Sequence, residues 1–247
     1  MSPPAAVPSP DAPVDAPVDA PVSSCAVAVD VAAMAITDGR LMLLLAEPDD
    51  AAQAGRWSLP GRRVRDDESL DATALRALAE LVGADEPTVL LEQLRTYGEP
   101  ARDPHARVVS VAYLALSARP LTPSATRRTT VVPAADAAAW PAERYAYDHA
   151  AMVSDGLERL RAKLEYTSLA TALLEEPFTL GELRRVYEAV WDVELDPANF
   201  RRKVVSTPGF VRPLEGTARP GPSGGRPARR YHGGGATRLH PAMLRDR

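Results

Sequence analysis

From Cys25 onward the chain alternates between apolar runs of strand length and amphipathic stretches of helical length. CAVAVDVAAMAI and RLMLLLAE flank Asp38-Gly39, a dipeptide suited to a two-residue turn with positive φ angles, so a β-hairpin is predicted. In the next segment, WSLPGRRVRDDESLDATALRALAELVG, the residues Leu70, Ala74, Leu78 and Leu81 recur at helical spacing. Ser69 or Asp71 stands at its start and Gly83 at its stop. TVLLEQLRTYG and RVVSVAYLALSA, separated by the polar turn EPARDPHA, are predicted strands, the second apolar enough to be central. DHAAMVSDGLERLRAKLEYTSLATALL has few breakers and predicts one long connecting helix.

After Pro177 the pattern becomes that of a small helical module. FTLGELRRVYEAVW opens with Thr179 and Glu182, whose spacing lets each side chain accept from the other's orphan backbone N–H. The short turn DVEL leads to Asp196-Pro197, an N-cap followed by proline at the first helical position, and PANFRRKVVS is a second helix ended by Pro208-Gly209. FVRPLE and ARRYH flank the loop GTARPGPSGGRP as strand and return strand. Helix, short turn, basic helix and basic Gly-rich hairpin follow one another in the order of a winged helix-turn-helix. In that module Asn199, Arg201, Arg202 and Lys203 lie where base edges are read, and Arg226, Arg229 and Arg230 suit wing contacts to the phosphate backbone. Phe200 and Val204, four apart, are core candidates. The alternative is an amphipathic helix with a solvated basic face.

Composition and charge sharpen this picture. A chain of 247 residues with 45% hydrophobic and 25% charged content has room for one or two cores. The first 22 residues, with the repeat APVD APVD APV and no aromatic, cannot build one and are read as a disordered leader. Net charge is only −4, but Asp196–Arg247 carries eleven Lys/Arg against three Asp/Glu, or +8, and residues 1–195 carry 18 against 30, or −12. An acidic body with a basic end is the footprint of a nucleic-acid module attached to a different domain; a solvated basic tail is the plainer alternative. The single cysteine, Cys25, excludes an intramolecular disulfide framework and a thiolate metal site. No apolar run approaches the ~18–20 residues of a membrane helix, so a cytoplasmic protein without membrane partners is expected.

The sharpest motif is LPGRRVRDDESLDATALRALAELVGA, which aligns with the Nudix box G-x5-E-x7-R-E-U-x-E-E-x-G-U when anchored on Arg76 and Gly83. Clustered glutamates on that box's helix bind Mg²⁺, which polarises a diphosphate and activates water. Glu68, Arg76, Leu78, Glu80 and Gly83 are kept, whereas Arg62 takes the place of the opening glycine with Gly61 beside it. Ala77 and Leu81 occupy two of the three glutamate positions in the core of the box, so no catalytic residue and no metal are expected here. Glu68 and Glu80 are read as solvated relics or helix-end residues.

LPGRRVRDDESL, LEQLRTYGEPARDPHARVVSVAYLAL, YDHAAMVSDGLERLRAKLEYTSLATALL, FTLGELRRVYEAVW, NFRRKVV and GRPARRY together resemble the Nudix-related transcriptional regulators of the NrtR type, in order and spacing over roughly residues 28–232. The resemblance implies an α+β fold: a Nudix-like α/β/α sandwich with a mixed sheet, followed by a winged helix-turn-helix. It also implies a bacterial dimeric repressor, often of NAD-synthesis or salvage genes, that senses ADP-ribose or a related nucleotide. The expected organisation is a disordered leader over 1–24, a Nudix-like sensor domain over 25–148, a linker helix over 149–165, a winged helix-turn-helix DNA-binding domain over 166–232 and a flexible tail over 233–247.

Arg102-Asp103-Pro104, with Arg107 nearby, matches that family's R-D-P loop, where arginines are suited to bidentate bonds with a diphosphate. A turn with solvated arginines is the plainer alternative. Arg62, with Arg63 and Arg65, is a second candidate for attracting an anionic nucleotide, or else a surface charge cluster. Trp57 and Trp140 read as packing residues, Tyr97 as an adenine-stacking candidate of lesser weight, and His105 and His149 lack metal-ligand spacing. Two functional classes follow. One is a repressor needing no cofactor beyond a nucleotide effector and binding an inverted-repeat double-stranded DNA operator as a homodimer; the other is an active Nudix hydrolase on ADP-ribose or a similar nucleoside diphosphate.

Overall fold

The computed structural model describes residues 24–82, 89–124, 127–215 and 228–245. The predicted hairpin forms from β1 (Ala26–Thr37) and β2 (Arg40–Ala46). Asp38 and Gly39 both hold positive φ, 50° and 74°, the mirror-image turn whose twist matches that of paired strands. β3 (Gly61–Arg63) pairs antiparallel with the start of β1. The two long apolar runs become β4 (Val89–Tyr97) and β5 (Val108–Ser117). β5 is central as predicted, antiparallel to β4 and parallel to β1, and β6 (Thr129–Pro133) closes the far edge to give the order β4-β5-β1-β2-β6.

Because side chains alternate across a strand, β1 feeds two cores. Val29, Val31, Ala33 and Ala35 face α1 (Leu70–Ala79), packing with Ala74, Leu78 and Leu81. Ala32 and Met34 face the opposite layer, α2 (Ala134–Ala138) and α3 (His149–Tyr166). A mixed sheet between helical layers is the sandwich expected. Ser69 caps α1, accepting from the Ala72 N–H at 3.1 Å. The helix ends at Ala79, before Leu81, and Gly83 lies outside the described residues.

The connecting helix differs from its reading in two ways. α3 is not a bare linker: Met152, Val153, Leu157, Leu160 and Leu164 are buried, and a Cβ added at Gly156 would stand 3.1 Å from that of Ala32, so glycine lets the helix lie close on β1. It also stops at Tyr166. Thr167 turns extended, its hydroxyl accepts from the Leu169 N–H, and Ser168–Leu173 continues as a 3₁₀ helix. A local side-chain acceptor has competed with continuation of the α-helix.

α4 (Leu180–Trp191) and α5 (Pro197–Ser206) follow, with β7 (Phe178–Thr179), β8 (Val211–Pro213) and β9 (Arg230–Gly233) in a three-stranded sheet of order β7-β9-β8. The capping box forms, Thr179 N–H donating to Glu182 at 2.6 Å and Glu182 N–H to Thr179 Oγ1 at 3.1 Å. Asp192 takes the left-handed conformation that ends α4, and Asp196 caps α5 through the Asn199 N–H at 2.8 Å. Tyr187 centres this core, meeting Trp191, Phe200 and Phe210 edge-on at 4.8, 5.5 and 6.5 Å between ring centroids. α4 is also tied to α3. Tyr187 Oη donates to the Leu164 carbonyl (3.2 Å), Trp191 Nε1 to the Arg161 carbonyl (3.1 Å), and Arg161 Nε to the Val190 carbonyl (3.1 Å). Among the described residues no helix is long and apolar enough to cross a membrane.

Candidate nucleotide pocket and nucleic-acid interface

A cavity of about 610 Å³ opens where β1, β2, β3 and the Arg102–His105 loop meet. Its wall brings together Arg62, Arg102, Asp103 and His105 with Arg127, Tyr147 and His149. Arg107 stays outside that wall, exposed, with Nη1 3.5 Å from the Val108 carbonyl. Arg63 and Arg65 are exposed, Arg63 on the cavity rim. Gly61 is required where it stands: a Cβ there would lie 1.9 Å from Asp30 Oδ1, so β3 approaches β1 only without a side chain. The glycine beside Arg62 is thus fixed by the strand pairing.

Of the two retained glutamates of the box, Glu68 is enclosed by its partners, whereas Glu80 is the helix-end residue expected, the C-cap of α1 with its side chain 38% exposed; both are held by arginines. Glu68 accepts two parallel hydrogen bonds from Arg76, Nε to Oε1 and Nη2 to Oε2, each 2.7 Å, and a third from Thr73 Oγ1 at 2.9 Å. Those bonds, Arg76's first among them, bring its carboxyl down to about 2. Glu80 is held by Arg62 through Nε at 2.8 Å and through Nη2, with Arg76 at 3.7 Å and Arg127 at 3.9 Å. Burial pushes the Glu80 carboxyl up, but the Arg62 hydrogen bond and the surrounding guanidinium charges outweigh it and hold it low. Ala77 and Leu81 are 0% and 1% exposed and offer no oxygen. Mg²⁺ needs carboxylate oxygens free to coordinate; a pair of glutamates already spent on arginines, beside two buried apolar side chains, does not fit it.

Arg102 is the most enclosed cation of the pocket, its side chain 4% exposed. Nε and Nη2 donate to the two carboxylate oxygens of Asp148 at 3.0 and 2.7 Å, and Asp30 stands 3.7 Å behind. Burial disfavours its charge, yet the Asp148 hydrogen bonds and the charges of Asp148 and Asp30 raise the guanidinium above its usual range. His149 is buried and its Nδ1 accepts from the Leu59 N–H at 2.9 Å, which requires that nitrogen to be unprotonated; burial holds the imidazole below its usual range. Tyr97, read as an adenine-stacking candidate, sits elsewhere: it is buried, its hydroxyl donates to Asp155 at 2.8 Å, and it does not line the cavity. Trp57 and Trp140 pack against the core as expected and carry Arg128 and Arg144 over their rings at 5.4 and 3.7 Å. The sequence reading missed Arg127, Tyr147 and Asp148. Arg127 carries no motif, and the only local signal at Asp148 is its place before a helix.

On the other module, Phe200 and Val204 turn inward while Asn199, Arg201 and Arg202 are exposed and Lys203 half-buried. Arg202 Nη2 donates to Asn199 Oδ1 at 3.0 Å, aligning both on the outer face of α5. Arg229 and Arg230 are exposed at the start of β9; Arg230 donates to the Pro177 carbonyl at 2.8 Å and Arg229 lies 5.9 Å over the Tyr231 ring. Arg212 of β8, not singled out from sequence, is exposed and donates to the Gly233 carbonyl. Arg226 lies outside the described residues.

Residues 26–153 match the NUDIX domain family, and residues 170–232 match the NrtR DNA-binding winged helix domain. The chain is 32% identical over 211 residues to the ADPR responsive transcriptional repressor NtrR of Acinetobacter baylyi, covering 82% of this chain and 80% of that one. The crystal structure of Shewanella oneidensis NrtR superposes with a TM-score of 0.71 at 29% identity, over 88% of this chain and 100% of that one. The same protein complexed with a 27mer DNA gives 0.69 at 30% identity, over 88% and 99%. A Nudix sandwich followed by this type of winged helix, and a relative alike over four-fifths of both chains, place the protein in the NrtR family of Nudix-related transcriptional regulators.

Proposed function

We propose that this protein is a DNA-binding repressor of NAD-related or nucleotide-metabolism genes whose Nudix domain senses ADP-ribose or a related nucleotide and does not hydrolyse it. The observation that carries the reading is the fate of the box: both retained glutamates are neutralised by arginines, while Arg62, Arg102 and Arg127 line the cavity beside them. Arginines placed so among the lining carboxylates Asp30, Glu47, Asp49, Asp50 and Asp103 can exchange those partners for an anion, and the box's own glutamates are not free to activate water on it. The exposed face of α5 supplies base-edge donors through Asn199, Arg201 and Arg202, with Lys203 beside them, and Arg229 and Arg230 supply the wing's phosphate contacts. Arg226 extends the wing set from its place in the sequence, whereas Arg107, read as an effector contact, stands outside the cavity wall. The relatives support each half, one being named as responsive to ADPR and another crystallised on DNA.

One winged helix makes too few phosphate contacts for tight specific binding at physiological salt, so the protein acts as a homodimer on an inverted repeat. The test is a fluorescence-anisotropy titration of duplexes from its own promoter region and of scrambled duplexes, with and without ADP-ribose, alongside a turnover assay with Mg²⁺. Sequence-selective binding that shifts with ADP-ribose, without turnover, is the expected result. Robust hydrolysis lost on Glu80→Gln would reverse the reading in favour of an enzyme.

A further inference from the structure

We infer that Asp148 is an internal competitor for Arg102: the carboxylate at the head of α3 occupies the guanidinium fork that an anionic effector would use, so filling the cavity and reseating α3 are one event. The inference rests on the reading of the cavity as a nucleotide site and deepens it by naming how occupancy is communicated.

Arg102 lines the cavity, yet both of the donors it aims at a carboxylate are taken by Asp148 in a fork-to-fork pair. That planar arrangement is the one a phosphate oxygen pair would also demand. Asp148 is placed to change partners. It occupies the N-cap position of α3, but its side chain makes no capping hydrogen bond and is spent outward on Arg102. Released, the carboxylate turns to solvent, to which its side chain is already 24% exposed, while the His149 and Ala151 amides of the first turn keep their bonds to the Ala146 and Asp148 carbonyls. Arg102 is not left unpaired by the exchange, since Asp30 remains 3.7 Å behind it and the incoming phosphate replaces the lost charge. The clamp is therefore a choice between two satisfied arrangements, which is what a switch needs.

What Asp148 holds is the near end of a lever. The adjacent His149 is buried and pinned by the Leu59 N–H, and α3 runs from there for 18 residues, about 27 Å of helix. Its far half carries the Arg161 and Leu164 carbonyls that accept from Trp191 and Tyr187 of α4, the helix packed against α5. A change of seat at Asp148 thus reaches the DNA-reading module through continuous hydrogen-bonded helix.

Asp148→Asn keeps the shape and removes the charge that competes. By linkage, a protein relieved of its internal competitor binds the external one more tightly, and we expect calorimetry to give an ADP-ribose Kd about tenfold lower than the wild type. The same variant, without ADP-ribose, should shift DNA affinity in the direction in which ADP-ribose shifts the wild type. A folded Asp148→Asn protein with unchanged or weaker ADP-ribose binding would overturn the competitor role while leaving the sensor reading intact. Wild-type protein that binds no ADP-ribose would overturn the sensor reading and this inference with it. A crystal structure of wild-type protein soaked with ADP-ribose tests the exchange independently of any variant's folding. Arg102 should there bond a phosphate oxygen, and an Arg102–Asp148 fork retained beside bound ligand would refute it.

Discussion

Glu68 and Arg76 are joined by two parallel hydrogen bonds of 2.7 Å that bind the loop before α1 to the last turn of the helix. In the Nudix box these two residues flank a carboxylate cluster; here they make an ion pair with little left over for a metal. The Glu68 carboxyl is depressed from 4.5 to about 2, so its stabilising effect is fully present above the unfolded value and is lost as pH falls through the folded one. Melting curves of wild type and Glu68→Gln should therefore differ at neutral pH and converge between about pH 4.5 and pH 2. A gap that stays constant across that range would remove the ion pair as its cause.

Restoring the box should fail. Leu81 is 1% exposed, packs with Ala74, Leu78 and Val29 and touches the cavity, so Leu81→Glu replaces packed apolar surface with a carboxylate at the junction of core and cavity. A loss of about 2 kcal/mol or more is expected in urea denaturation, with no gain of Mg²⁺-dependent ADP-ribose hydrolysis, for Leu81→Glu alone or combined with Ala77→Glu. Turnover in either variant would show that the arginine-paired glutamates can still be drawn to a metal.

Arg202 and Arg230 should separate by kind of effect. Arg202 stands on the outer face of α5, oriented by Asn199, and its replacement by alanine should cost about 1–3 kcal/mol on a preferred duplex and relax selectivity at one base position. Arg230, anchored to the Pro177 carbonyl at the base of the wing, should weaken every duplex alike and lower the salt dependence by about one unit. Anisotropy titrations over several salt concentrations distinguish the two. Identical salt slopes and identical selectivity profiles for both variants would contradict the assignment of helix and wing.

Tyr187 unites three rings and the α3–α4 junction. Tyr187→Phe leaves the Leu164 carbonyl without that donor and should cost about 1 kcal/mol. Tyr187→Ala empties the ring site and should cost about 3–5 kcal/mol by thermal or chemical denaturation. If the Ala variant is no worse than the Phe variant, the ring cluster is not what holds this module together.

The sequence by itself determined the elements whose signals are local. The Asp38-Gly39 turn, the start of α1 at Ser69, one of the two residues its pattern offered, the interior β5, the Thr179–Glu182 box and the Asp196-Pro197 start of α5 each depend on a few neighbouring residues. The inward turn of Phe200 and Val204 was legible for the same reason, since a spacing of four on a helix fixes a shared face. β3 and β6 were not legible, because short strands without alternation exist only through the partners β1 and β2 supply. Only the tertiary structure decided what the charges do. Glu68 and Glu80 look like solvated carboxylates in the chain, yet Arg76 lies eight residues from the first and Arg62 eighteen from the second, and folding delivers each arginine to its glutamate. Arg102 likewise read as a free anchor, and forty-six residues later the chain returns Asp148 to hold it. Local pattern fixes which face a residue shows; the partner a charge will meet is set by long-range packing.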